Sequence, residues 1–342
     1  MTIAPGSETP GLVCAHHHLY SALARGMPAP PAVAGNFQEI LELVWWRLDR
    51  ALDAEMIRWS AMLGALEALE CGTTAIVDHH SSPNAIEGSL DLVADACEEV
   101  GVRSVCCYEV TDRNGPDGAA RGLQENARFL REGRRGFVGA HACFTLSDET
   151  LDKVVGLAED LDAGVHIHVA EDAIDAAAGA RLERVAQPSW LLAHCVHLDR
   201  ALPGRVAHNP RSNMNNAVGY GRPARWPGTV ALGTDGIGGD MLEEFRIAYV
   251  RLREDDVTAT PETPWRWLEG GYSIVPEARD DRVVWGYEPM EPWHLAFTPG
   301  VRPLEVRVGD EVVLADGRPT RVDPVEIRAK AREQAARLHA RL

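Results

Sequence analysis

The chain has no apolar run approaching the roughly 18 residues that a membrane-crossing helix requires. It also lacks an excess of basic residues: 34 Lys and Arg stand against 51 Asp and Glu, a formal net charge of −17. A surface of that sign repels phosphodiester backbones and anionic headgroups, so neither nucleic acid nor a membrane is an expected partner. No CxxC pair occurs among Cys14, Cys71, Cys97, Cys106, Cys107, Cys143 and Cys195. They read as reduced, buried small side chains of a cytosolic enzyme. Residues 1–8 lack the basic start and apolar stretch of a secretory leader, and a cytoplasmic location is expected. Internal repeats and low-complexity segments are missing as well.

What is present is alternation. Short β-rich runs at 11–16, 73–79, 103–110, 136–144, 164–169, 190–196, 205–209 and 229–235 alternate with amphipathic stretches at 55–70, 85–100, 123–131, 148–161 and 173–185. Strands that alternate with helices imply a parallel sheet, and eight of them suffice to close it. The expectation is an α/β fold, a (β/α)8 barrel of TIM type spanning 8–256, with its last helix at about 241–253. Residues 255–264 read as a linker rich in Pro, Thr and Asp. The tail, 257–342, adds a hairpin (305–308 with 311–314, turning at Gly309-Asp310) and a charged amphipathic helix at 325–342 packing on the barrel. About eight residues separate the sixth and seventh runs, where a parallel crossover usually needs a dozen or more. Segment 211–228 is rich in Asn, Gly and Pro and shows little helical periodicity. That flank is expected to be thinly covered, or covered by the tail or a second subunit.

Four pieces end such runs and carry chemistry: His16-His17-His18, His166-Ile167-His168-Val169-Ala170-Glu171, Ala193-His194-Cys195 and Gly233-Thr234-Asp235-Gly236. Parallel barrels deliver side chains from their strand ends to one common face. Residues two apart on a strand point the same way, so His16 and His18 can reach one ion while His17 points outward. His168 is the third candidate ligand, and His166, of equal parity, lies one layer deeper. Asp235 can complete the set, holding a metal with one oxygen and taking a proton with the other. His194 either ligates the ion or holds the attacking water. Glu171 falls beyond the strand, on the rim, where a carboxylic acid can carry a proton to a leaving group. Three imidazoles and a carboxylate suit one divalent cation, Zn2+ first and Fe2+ as the alternative.

These residues, with the stretches 18–27, 77–80, 107–115 and 208–216, resemble the amidohydrolase superfamily. Within it they are most similar to the mononuclear branch of deaminases and triazine hydrolases, and there to SsnA-type aminohydrolases. No lysine stands at the fourth strand, where this chain has Gly139-Ala140-His141-Ala142. The likeness implies that His16, His18, His168 and Asp235 hold the metal, that His194 orients water, and that Glu171 shuttles the proton. It further implies substrate contacts from His141, Asp112, Arg113 and Asn213. Relatives carry more chain before the first strand, forming most of a β-sandwich. The tail hairpin therefore reads as a truncated remnant of that side domain, and Trp45 and Trp46 as a candidate homodimer surface.

The expected function is hydrolysis of a C–N bond in a small molecule, foremost deamination of an amino-substituted purine, pterin, pyrimidine or triazine. Release of alkylamine or halide from a similar ring is the second reading. A non-catalytic metal-binding descendant is the third, and an intact Glu171 argues against it.

Overall fold

The computed structural model describes residues 8–236 and 238–342. A two-residue strand, β1 (Glu8–Thr9), precedes eight parallel strands: β2 (Leu12–His18), β3 (Thr73–His80), β4 (Arg103–Tyr108), β5 (Val138–Ala142), β6 (Val165–Val169), β7 (Leu191–His194), β8 (Arg205–His208) and β9 (Val230–Leu232). A short pairing segment, β10 (Asp235–Gly236), continues from β9. Hydrogen bonds run β10-β2-β3-β4 in one sheet and β5 through β9 in the other. Parallel bridges Cys106–Gly136 and Val110–Ala140 join the two sheets on one side. On the other, Thr234 N donates to His16 O at 3.0 Å and β10 pairs with His17 and His18. The ring is thereby closed as a TIM-type barrel, in line with the sequence expectation.

Small inward residues fill this ring. Val13, Ala75, Val77, Val105, Cys107, Ala193, Ala207 and Ala231 share one buried cluster with Ile274 and Val275. Their outward neighbours, among them Ile76, Cys106, Ile167 and Leu192, belong to the larger core beneath the helices. That strict alternation is what lets a strand end aim a chosen side chain inward.

Several helices depart from their expected bounds. The stretch expected at 123–131 begins earlier, Gly115–Arg131, because Pro116 in the first turn suits a helix start. The stretch at 173–185 breaks into a 3-10 turn, Ala173–Asp175, and a short helix, Ala178–Leu182. Asp175 explains the break: its carboxylate accepts from Phe144 N and Ala170 N, both at 2.9 Å, tying the segment to two loops. Helix Asp148–Asp160 starts where expected, with Ser147 Oγ accepting from Thr150 N at 3.2 Å.

The thin flank is real. No helix lies in 195–204, and only Pro210–Asn215 and a 3-10 turn at Pro223–Arg225 occupy the next crossover. The tail covers part of it, beside β8 and β9: the supposed linker ends inside a helix, Glu262–Glu269, whose Trp267 is buried against the His208 ring. Gly270 follows so closely on β9 that a Cβ there would fall 2.0 Å from Val230 O.

Beyond the hairpin, the tail forms a separate antiparallel sheet, ordered β1-β11-β12-β13-β14, with β11 Arg282–Trp285, β12 Pro303–Val308, β13 Glu311–Ala315 and β14 Arg318–Pro319. The sequence suggested only the hairpin. It missed β1, too short for a periodic signal, which pairs with Val283 and Val284 and is held by Trp285 Nε1 donating to Thr9 Oγ1 at 2.8 Å. Helix Pro324–His339 packs back on the helix Ala54–Leu69. All seven cysteines are free thiols. Among the described residues, no helix is long and apolar enough to cross a membrane.

Candidate functional site

Strand β2 does not keep its alternation to the end. Its register with β3 shifts between Cys14 and His17, an extra residue of the kind a β-bulge inserts. Val13 and Ala15 face inward, yet after the bulge His16 and His18 are the inward pair, and His17 turns out to bond Thr234 Oγ1 at 2.8 Å. A second device acts on β7. Ala193 faces the interior, and His194 does too because its φ of +69° folds the chain back on itself. Ala170 (φ +44°), Cys195 (φ +53°) and Asp235 (φ +61°) share this left-handed backbone. Such strain in non-glycine residues persists only where surrounding structure enforces it, and here it gathers at the strand ends.

The result is a tight group. Ligand atoms of His16, His18, His168 and Asp235 lie within 4.8 Å of one another. His16 Nε2 and His18 Nε2 stand 3.3 and 2.9 Å from Asp235 Oδ1, and His168 Nε2 is 3.2 Å from His18 Nε2. A tetrahedron with metal–ligand bonds of about 2.1 Å has edges of about 3.4 Å, so these separations fit one small cation. Outer contacts orient the rings. His18 Nδ1 donates to His79 O at 2.5 Å, His168 Nδ1 to His141 O at 2.8 Å, and His16 Nδ1 shares a proton with His166 Nε2 at 2.8 Å. Each Nε2 lone pair is left facing its neighbours, and buried His16 Nε2 has no hydrogen-bond partner among the described residues. The donor set therefore fits a divalent metal.

The electrostatics agree. Burial pushes the imidazoles of His16 and His168 well below the usual range, which keeps them neutral as ligands must be. Burial also works against a charged His18, but the hydrogen bond and charge of Asp235 outweigh it and raise that imidazole to about 9. Asp235, despite burial, is held well below the carboxylate range by His16 and His18. A proton on His18 thus stands where a cation is called for.

Facing this group, Glu171 Oε2 lies 3.5 Å from His194 Nε2, and Asn216 Nδ2 donates to Glu171 Oε1 at 3.4 Å. Burial raises the Glu171 carboxyl to about 7, with the Asp235 charge adding to it and His194 opposing. Asp172, not Glu171, caps the following turn by accepting from Ile174 N. Glu171, His194 and Asp235 form a second set of converging ligand atoms, and His79, Glu109 and His168 a third. Because His168 Nδ1 is taken by His141 O, its Nε2 serves one ion only.

The cavity over these groups is walled by Phe37, Leu41, Trp45 and Trp46, with His141, Arg113, Asp49 and Glu109 on its polar side. His141 bonds Thr145 Oγ1 through Nδ1 at 2.6 Å, and burial lowers it to about 4. Four residues singled out in the sequence are placed as follows. Asp112 does not line the cavity; its carboxylate accepts from Ser147 N and Thr150 Oγ1, both loop anchors. Asn213 is also outside the lining and bonds His194 Nδ1 at 2.8 Å. Trp45 and Trp46, the candidate dimer surface, wall the cavity. Sequence reasoning missed Asp49 and Glu109. Glu109 shares parity with Val105 and Cys107, which places it inward just past the end of β4, a signal that could have found it. Asp49 lies on a helical segment, Trp46–Ala51, whose pattern marks no acid as special.

A model of the amidohydrolase family matches residues 9–268. The chain is 33% identical over 287 residues to a 5-methylthioadenosine/S-adenosylhomocysteine deaminase of Desulforudis audaxviator, covering 74% of this chain and 64% of that protein. It is 33% identical over 284 residues to a 5'-deoxyadenosine deaminase of Methanopyrus kandleri, covering 73% and 63%. The chain thus spans less than two thirds of the length of these relatives. Among solved structures it superposes on a zinc-bound adenosine deaminase from Xanthomonas campestris with a TM-score of 0.82, at 23% identity, covering 97% of this chain and 86% of the other. Atrazine chlorohydrolase TrzN from Arthrobacter aurescens, complexed with zinc, superposes with a TM-score of 0.77 at 19% identity, covering 96% and 88%.

Proposed function

The chain belongs to the amidohydrolase family, and from that premise we propose that it is a metal-dependent deaminase of an amino-substituted heterocycle, purine nucleosides foremost. The observation that carries this reading is the meeting of His16, His18, His168 and Asp235 at coordination spacing with Glu171 opposite them. The names of the curated relatives, all deaminases of adenosine-type compounds, supply the substrate class. SsnA-type kinship stays a narrower proposal, resting on the stretches 77–80 and 107–115.

In this reading His16, His18, His168 and Asp235 hold one divalent cation, Zn2+ first. When bound, such a cation acts as a Lewis acid that lets water ionise near neutral pH. Asp235 Oδ2, held by Ser212 Oγ, and His194 Nε2 orient the attacking water from two sides. Glu171, poised near neutral pH in its protonation, takes the water's first proton and passes it to the ring nitrogen beside the attacked carbon, then carries the remaining hydroxyl proton to the amino group, which leaves as ammonia. Net, water enters, the C–N bond to the amino group breaks and ammonia leaves. His141 and the tryptophan wall hold the ring flat.

The test is metal analysis of the purified protein together with ammonia release from adenosine, 5'-methylthioadenosine, aminopterins and aminotriazines. A loaded protein that frees ammonia from none of them would overturn the reading.

A further inference from the structure

Trp45 and Trp46 stand on a segment, 37–51, that has little of its own to hold it over the cavity. It is reached through residues 28–36, which form no helix or strand and are mostly exposed. Phe37 and Leu41 share a small apolar cluster with Val196 and Val218, separate from the main core. At Leu41–Trp45 the segment widens into a π-turn, and Trp46–Ala51 is a helix of 6 residues, too short to be stable by itself. Leu48 is its one buried apolar residue, and a single plug in the core leaves the helix free to tilt.

Polar ties set that tilt. On the cavity side, Arg113 Nη2 donates to Asp49 Oδ2, and its guanidinium lies 5.0 Å from the Trp46 ring. On the far side are the carbonyls that end the helix, which find no partner within it. Arg50 O accepts from Asn84 Nδ2 at 2.7 Å, and Ala51 O accepts from Arg341 Nη1 at 2.6 Å. The other arm of Arg341, Nη2, donates at 2.6 Å to Asp53 Oδ2, while Asp53 Oδ1 caps the next helix by accepting from Met56 N. Arg47 Nη2, on the wall itself, donates back to Leu342 O. Residues 337–342 are seated in turn: Arg337 Nη2 reaches Asp53 Oδ2 at 2.7 Å, and His339 Nε2 donates to Leu23 O at 2.9 Å.

We propose that Arg341, far along the tail, is a positioning residue of the active site: by stapling Ala51 to Asp53 it sets the tilt of Trp46–Ala51, and with it the tryptophan wall against which the substrate ring lies. Arg341 does not line the cavity and acts through the wall alone. Its side chain is 41% exposed, so the ion pair with Asp53 adds little stability. What the guanidinium supplies is direction, since its two arms hold a helix end and a helix start in one geometry. A wall that is seated only part of the time lowers apparent affinity by that fraction and leaves the chemistry of the seated fraction unchanged. The effect on turnover rests on the deaminase reading above; the effect on the wall does not.

Arg341→Ala removes both arms. With adenosine as the probe, KM should rise about tenfold, the scale of one lost charge-assisted hydrogen bond, while kcat stays within about twofold. Metal content and melting temperature should match the parent protein. Arg341→Lys keeps a donor for Ala51 O and should bring KM back to within about threefold. Lys330→Ala, which removes a cation paired with Glu333 on the same helix, should change neither constant. Hydrogen–deuterium exchange reads the wall without any substrate. Amides of 37–51 should exchange about tenfold faster in Arg341→Ala and those of the barrel strands at the parent rate. Arg47→Ala cuts the neighbouring tie from the wall's own side and should give the same exchange pattern; it decides the matter should Arg341→Ala fold poorly. If adenosine yields no ammonia, yet exchange over 37–51 rises in Arg341→Ala and returns in Arg341→Lys, the deaminase reading loses its foremost substrate while the tether stands. Unchanged exchange over 37–51 overturns the proposal. So does a fall in melting temperature and kcat with KM unmoved, the mark of a purely structural arginine.

Discussion

His194 Nδ1 donates to Asn213 Oδ1 at 2.8 Å, and that bond fixes which ring nitrogen of His194 faces Glu171. With the proton held on Nδ1, the Nε2 lone pair points at Glu171 and the floor of the cavity, 3.5 Å from Oε2. Asn213 can do this because Pro210–Asn215 forms a short helix directly after β8, presenting Asn213 beside the end of β7. A segment rich in Asn and without helical periodicity thus still carries one turn with a defined task.

Replacing Asn213 by Ala should leave metal content unchanged and lower kcat by about 10- to 100-fold, the range seen when the partner of a site histidine is lost. The variant Asn213→Asp, which keeps an acceptor, should recover much of the loss. If Asn213→Ala turns over normally, His194 is oriented by something else.

Glu171→Gln preserves shape and the contact with Asn216 but cannot carry a proton. Metal stoichiometry by elemental analysis should match the parent protein, while turnover drops by about 10²- to 10⁴-fold, the usual weight of general acid–base catalysis. Metal loss in parallel with activity would instead make Glu171 part of the ion's coordination shell.

Much of this arrangement was readable from residues alone, for a physical reason. Parallel strands buried on both faces appear as apolar runs, and their C-terminal ends share one rim, so His168, Glu171 and Asp235 could be gathered from order and spacing. The bulge in β2 and the left-handed backbone at His194 were not readable, since neither Ala15-His16 nor Ala193-His194-Cys195 holds a glycine or proline to announce them. The bonds of Asp112 to Ser147 and Thr150 were not readable either, because a carboxylate just past a strand reads the same whether it meets a substrate or caps a neighbouring loop. Trp45 and Trp46 suggested an outer surface, since a short amphipathic segment does not reveal which of its faces turns toward the barrel mouth.

Metal uptake should release protons at neutral pH. In the metal-free protein His18 is raised to about 9 by Asp235, so at pH 7 the ion must displace its proton. Calorimetry in buffers of different ionisation enthalpy should report about one proton released per ion at pH 7, and apparent affinity should rise with pH up to about 9. The sign for stability follows from the same shift. A histidine raised above its unfolded value of about 6.5 contributes fully below that pH, and the contribution fades as pH climbs through 9. Thermal melts of chelated protein should therefore lose that increment between about pH 6.5 and 9, whereas metal-loaded protein should not. Uptake with no proton release would mean that His18 is already neutral in the empty site.

Gly233 makes the barrel seam possible. A Cβ there would stand 2.4 Å from Asn209 Oδ1 and 2.8 Å from both N and O of His16. A side chain can rotate away, but the His16 backbone cannot, because Thr234 N bonds His16 O at 3.0 Å in the same seam. Gly233→Ala should therefore push β2 outward and take His16 with it. The expected cost is about 1–3 kcal/mol of stability, the range for overpacking a tight site. The sharper effect falls on the ion, whose affinity should drop by about 10- to 100-fold as one imidazole leaves its place. Gly156→Ala is the control. It lies mid-helix in Asp148–Asp160 with nothing within 4 Å of a new Cβ, and should gain up to about 1 kcal/mol with metal binding untouched. Equal behaviour of the two alanine variants in both denaturation and metal titration would show that the seam yields at Gly233, and that His16 is not held by its close approach.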